Sequence, residues 1–251
     1  MKKKLFTVAL AVIIAVTAIA GTSLAYLQDT DTEDNVFTVG KVEIDLYENF
    51  NENLAHLLPA VKNAEGKWNN AITKEVFVTN TGNDAAYVRV HIAIPSILDD
   101  GYDTFNASLN ILHFNMDKET YADGLWSWNK TVDGSNYPGN GGEWNFYTTE
   151  IDGISYNVYV VTFKSTLAKG EATCSAMSQV YLDPKVTNEI IADINETLGN
   201  NWHIYVAAEG VQAAGFTDAY QALNAAFGVP GSYTTPIDWT ALAGVDTVKG
   251  N

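Results

Sequence analysis

Side chains alternating between apolar and polar with a period of two recur in short runs along this chain, and no other feature restricts its folding so tightly. Val88, Val90, Ile92 and Ile94 point one way and Arg89 and His91 the other, in a run from Tyr87 that Pro95 closes. Val42, Ile44 and Leu46 alternate with Lys41, Glu43 and Asp45, and a second run spans Ile72 to Asn80 before the turn residues Thr81-Gly82-Asn83-Asp84. Glu143–Ile151 and Ile154–Lys164 flank Asp152-Gly153, a pair suited to the type I′ turn of a two-residue hairpin. Ile111–Phe114, Trp126–Trp128, Met177–Leu182 and Trp202–Gln212 read as further strands, and Leu167-Ala168-Lys169-Gly170-Glu171 as a turn into another.

Two stretches break this rhythm. Thr187–Leu198 carries Ile190, Ile191, Ile194 and Leu198 at helical spacing with Gly199 as a stop, and Thr217–Gly228 has a capping residue, an alanine-rich body and a glycine end. Residues 96–142 are rich in loop signals, among them Asp99-Asp100-Gly101, Asp133-Gly134 and Pro138-Gly139-Asn140-Gly141-Gly142. The pattern predicts a mainly β fold: a single antiparallel β-sandwich of the jelly-roll or immunoglobulin type, with two short helices and long loops. With hydrophobic residues at 47% and aromatic residues at 12%, the chain has ample material for a core. Cys174 is the only cysteine, so no intrachain disulfide and no cysteine-based zinc site can form, and the thiol reads as a small buried hydrophobe.

The first residues are organised differently. Lys2-Lys3-Lys4, an apolar run from Leu5 to Ala20 and a Ser23-Leu24-Ala25 end match the three regions of a secretory signal, with cleavage expected between Ala25 and Tyr26. The apolar run is shorter than the ~20 residues a spanning helix needs, and no second stretch of spanning length follows. Residues 1–25 are thus expected to be a signal peptide, 26–40 an acidic arm, and 41–251 the β-sandwich with an irregular C-terminal tail anchored by Ile237, Trp239 and Leu242. Cleavage leaves 226 of the 251 residues and removes only the charges of Lys2, Lys3 and Lys4, so the formal charge of −16 becomes −19. So acidic a chain is repelled by phosphate backbones, which argues against a nucleic-acid partner.

No catalytic pattern emerges. His56, His91, His113 and His203 are scattered outside any H-E-x-x-H helix, and neither a nucleophile elbow nor a glycine-rich phosphate loop occurs. His91 and His203 fall on polar strand faces, where a solvated or cross-strand role is expected, and spacing alone does not make them metal ligands. Asp29, Asp31 and Glu33 alternate as in a calcium loop, but the loop glycine and the final glutamate are missing, so a solvated linker is expected there and no cofactor is assigned. Trp126, Trp128, Tyr137 and Trp144 are the candidate surface aromatics for stacking on sugars, aromatic core filling being the competing use of such residues.

Ser23-Leu24-Ala25-Tyr26-Leu27-Gln28-Asp29-Thr30-Asp31-Thr32, followed by Asn35-Val36-Phe37-Thr38-Val39-Gly40-Lys41-Val42-Glu43-Ile44-Asp45-Leu46, resembles the processing region of TasA/camelysin-like secreted proteins. Val78–Asn83, Ala86–Val90, Leu167–Thr173 and Glu209–Phe216 are similar to further stretches of that family, whereas residues 96–142 and the tail after 230 match nothing specific in it. The resemblance implies a jelly-roll β-sandwich exported by Gram-positive bacteria, with Ser23, Ala25 and Tyr26 at the cut of a SipW-type signal peptidase. It further implies an extracellular fibre subunit of the biofilm matrix, whose partners are copies of itself and accessory matrix proteins. The freed segment from Tyr26 to about Phe37, with Tyr26, Leu27, Val36 and Phe37 as its apolar residues, would add as a strand to the next subunit. Asp29, Asp31, Glu33 and Asp34 make that donor acidic, so low pH, divalent cations or an accessory protein are expected to promote assembly. Some relatives are described as camelysin, a metallopeptidase; no zinc motif supports carrying that activity over, and the chain is read as no enzyme. A surface adhesin or glycan-binding module using the aromatic loops is the alternative.

Overall fold

The computed structural model of the protein describes residues 29–30, 42–50, 57–66, 68–99, 110–114, 125–128, 146–199, 202–230 and 237–242. In chain order the strands are β1 (Asp29–Thr30), β2 (Ile44–Phe50), β3 (Val61–Lys62), β4 (Trp68–Asn69), β5 (Ile72–Asn80), β6 (Ala86–Pro95), β7 (Leu112–Phe114), β8 (Trp126–Ser127), β9 (Phe146–Ile151), β10 (Ile154–Phe163), β11 (Met177–Leu182) and β12 (Tyr205–Gln212). The helices among the described residues are α1 (Asn188–Leu198), α2 (Ala219–Phe227) and the single turn α3 (Trp239–Leu242).

The fold is mainly β and antiparallel, as the alternation predicts. One sheet runs β1-β12-β6-β10-β8 with β9 also paired to β10, a second runs β2-β5-β11-β7, and β3 and β4 form a small ribbon. Asp152 and Gly153 have φ of 50° and 79°, the positive values that the β9–β10 turn demands. Beyond the turn, Ile154 lies opposite Ile151 and Tyr159 opposite Phe146.

The apolar residues on one side of β6, from Ala86 through Val88, Val90 and Ile92 to Ile94, join Ile44 of β2, Val76 and Val78 of β5 and Val180 and Leu182 of β11 in a single core between the sheets. Burying a Val or Ile side chain contributes roughly 1.5–3 kcal/mol, so this shared face is what holds the two sheets together. The close approach of β12 to β2 depends on Gly210: a Cβ there would stand 2.8 Å from Cγ2 of Ile44.

Helix α1 carries the chain from β11 in the second sheet to β12 in the first. Thr187 caps it by accepting from the Ile190 amide at 3.3 Å, Gly199 ends it, and its apolar stripe of Ile190, Ile191, Ile194 and Leu198 packs on the core. Asp218 caps α2, accepting from the Gln221 amide at 2.8 Å. The apolar side of α2, Ala219, Ala222 and Leu223, lies on Tyr87 and Val211, so it covers the outer side of the first sheet. Further along that outer side, Trp239 and Ile237 pack with Ala93, Ile151, Tyr156, Val158 and Ala207. The expected tail anchor is therefore real at Ile237 and Trp239. As a consequence β6 is buried on both faces along its whole length, where the alternation alone reads as one dry face and one wet one.

Candidate functional site

Strand β12 joins the chain's two unusual features. It lies between β6 on one side and β1 on the other, with Asp29 opposite Gly210 and Thr30 opposite Glu209. Those two residues of the acidic arm, expected as part of a solvated linker or donor segment, are strand-paired. They meet two of the eight residues of β12, the position a strand-adding segment would take on an exposed sheet edge.

Behind this edge lies a cluster of buried charge. On the outer side of the first sheet β6 carries Arg89 and His91 and β12 carries Glu209, which pairs in register with Arg89. Their exposures are 1%, 0% and 3%. The guanidinium Nε of Arg89 donates to Glu209 Oε2, and His91 Nε2 meets the same oxygen at 3.0 Å. The rest of the guanidinium reaches α2: Nη1 donates to Asn224 Oδ1 at 3.0 Å, Nη2 to the Gly228 carbonyl at 3.2 Å, and the Phe227 ring lies 5.7 Å below the charge. A cation at the carbonyl end of a helix is favourably placed, so Arg89 fastens α2 to the sheet electrostatically as well as by hydrogen bonds. The Tyr147 ring meets His91 edge-on at 6.2 Å, and the Tyr147 hydroxyl accepts a hydrogen bond from Trp239.

Burial dominates the titration of this cluster. It pushes His91 below its ordinary value, against the pull of Glu209, and Arg89 adds to the lowering, so the imidazole is neutral at pH 7 with Nε2–H donating to the carboxylate. Burial by itself would raise Glu209, but the charges and hydrogen bonds of His91 and Arg89 outweigh it and bring the carboxyl down to about 2. Burial, followed by the charge of Glu209, raises Tyr147 far above the usual phenol range.

The other predicted residues fall in different places. Trp126 and Trp128 are not surface aromatics; they are 3% and 1% exposed. The pairing of β8 with the end of β10 turns both indoles inward: Trp126 donates to the Cys174 carbonyl at 3.0 Å and meets Phe163, while Trp128 stacks on Phe114 at 5.6 Å. Core filling, the competing use of these residues, is the one the fold makes of them. Tyr137 and Trp144 lie outside the described residues, as do Ser23, Ala25, Tyr26, Leu27, Val36 and Phe37. His91 is not solvated but cross-strand, and His203 is exposed and stacks on Tyr205, so the two histidines do not form a site. His113 meets Asp183 at 2.8 Å and stacks on Tyr181. Among the described residues no group of three or more His, Cys, Asp or Glu side chains could hold a metal ion. No described helix is long and apolar enough to cross a membrane.

Sequence reasoning missed the triad. Arg89 and Glu209 are separated by 120 positions, and nothing local in either stretch signals that α2 will cover them. Comparison of the sequence with protein-family models and with curated proteins gives no match.

Proposed function

We propose that this chain is a secreted structural protein, a subunit of extracellular fibres that assembles by adding its N-terminal segment, residues 26–37, to strand β12 of the next subunit. The observation that carries the reading is the pairing of Asp29–Thr30 with Glu209 and Gly210. Asp29 and Thr30 belong to the segment that the resemblance implies is a donor, and their pairing with β12 supports the reading that this strand receives it. Within a single chain this pairing closes the edge; between chains the same contact is head-to-tail and propagates into a filament. Signal cleavage before Tyr26 would release the segment for either use. The reading assigns no catalytic chemistry. The glycan-binding alternative is weakened because two of its four aromatics, Trp126 and Trp128, are buried.

Negative-stain microscopy of two chains tests the proposal, one beginning at Tyr26 and one at Gly40. Filaments from the longer chain alone are expected, whereas monomers from both, or filaments from both, remove the N-terminal segment as the assembling element.

A further inference from the structure

We infer that Arg89, Glu209 and His91 form an acid-sensitive latch that holds α2 and the Trp239 segment against the outer side of the first sheet and, through β12, sets how firmly Asp29–Thr30 is paired. The last link rests on β12 being the acceptor edge; the latch itself does not.

The cluster is balanced at neutral pH, with one guanidinium, one carboxylate and one neutral imidazole in a site closed to water. A proton added to His91 puts two cations on one carboxylate oxygen in a buried site, where charge is costly to hold. Among the described residues, the one acid of the C-terminal segment, Asp238, is exposed and accepts from Thr240. Strand β9 contributes the Tyr147 phenol, which stays protonated. Helix α2, from Ala219 to Phe227, carries no charged side chain and presents only the Asn224 amide oxygen and the Gly228 carbonyl, both engaged with Arg89. From the C-terminal segment, Trp239 bonds to Tyr147.

The least costly response is to admit water, and the weakest wall is the outer one. The inner side of β6 and β12 belongs to the main core, while among the described residues the outer cover is one nine-residue helix and one turn. Opening that cover exposes Glu209, the residue opposite Thr30. Acid is thus expected to loosen α2, the Trp239 segment and the β1–β12 pairing together. This route is separate from any direct neutralisation of the arm carboxylates.

Hydrogen exchange of the processed protein, corrected for intrinsic rates and followed from pH 7 to pH 4.5, tests the latch beside the variant His91→Gln, which keeps an amide N–H for Glu209 but takes no proton. In the wild type, exchange across residues 219–228 and 237–242 is expected to start rising as pH falls through the unfolded histidine value of 6.5, by up to about tenfold for each pH unit, and to level off below the midpoint of folded His91. Amides of β5 and β11 should keep their protection, and the variant should show a flat profile throughout. A rise of equal size in both proteins overturns the latch, and so does a rise spread evenly over both sheets. If the variant does not fold, NMR titration of His91 in the wild type decides: a midpoint below 6.5, at the pH where the rise in α2 exchange levels off, supports the latch, and a midpoint at or above 6.5, or one unrelated to the end of the rise, overturns it. Filament yield read in the same samples separates the two proposals, because pH-dependent opening without filaments upholds the latch and removes the fibre reading.

Discussion

Glu209 accepts from Arg89 and His91 through a single oxygen at 3% exposure, so its removal takes the carboxylate from the Nε of a buried guanidinium. Breaking a buried ion pair from one side costs about 3–5 kcal/mol, most of it from the charge left behind. Glu209→Ala should therefore lower the urea midpoint by an amount of that order, and Glu209→Gln should lose less because it still accepts from Arg89. The pH dependence has a definite sign. His91 is depressed from 6.5, so the folded state disfavours its charged form and stability falls as pH drops below the unfolded value. Glu209 is depressed from 4.5 to about 2, so its contribution is present above 4.5 and fades toward about 2. Both act in the same direction, and acid is the destabilising side.

At the scale of elements, β12 is the strand on which everything converges: β1 and β6 at its edges, β2 beneath it and α2 above. Gly210→Ala should drive β12 away from Ile44, whose Cγ2 lies too near its own backbone to swing clear. A cost of roughly 1–3 kcal/mol in denaturant unfolding is expected, and a smaller one in an Ile44→Ala background, which lacks Cγ2. The strands themselves were largely legible, because their signal is local. Ile72 to Asn80 and Met177 to Leu182 run as the alternation predicts, and Asp152-Gly153 turns where a type I′ pair should. Faces were not legible to the same degree. Arg89 and His91 read as the wet side of β6 until α2, more than a hundred residues later, covers Arg89, and Tyr147 of β9 meets His91. Trp126 and Trp128 sit among loop signals, and only their pairing with β10 decides that they face inward.

For the whole molecule, an acidic chain resists non-specific association, so the proposed assembly requires a directed contact. An edge strand with a short, intramolecular occupant would supply one, since the occupant and its proposed replacement share one chemistry. The resemblance points to residues 26–37 as the proposed donor; the fold adds that Asp29 and Thr30, the described residues of that segment, pair with Gly210 and Glu209. The most direct test uses a chain beginning at Gly40, a peptide of residues 26–37, and hydrogen exchange of the complex. The peptide is expected to slow exchange in β12, from Tyr205 to Gln212, and to leave the β2 and β9 edges unchanged. Unaltered exchange in β12, or protection confined to another edge, would contradict strand addition at this site.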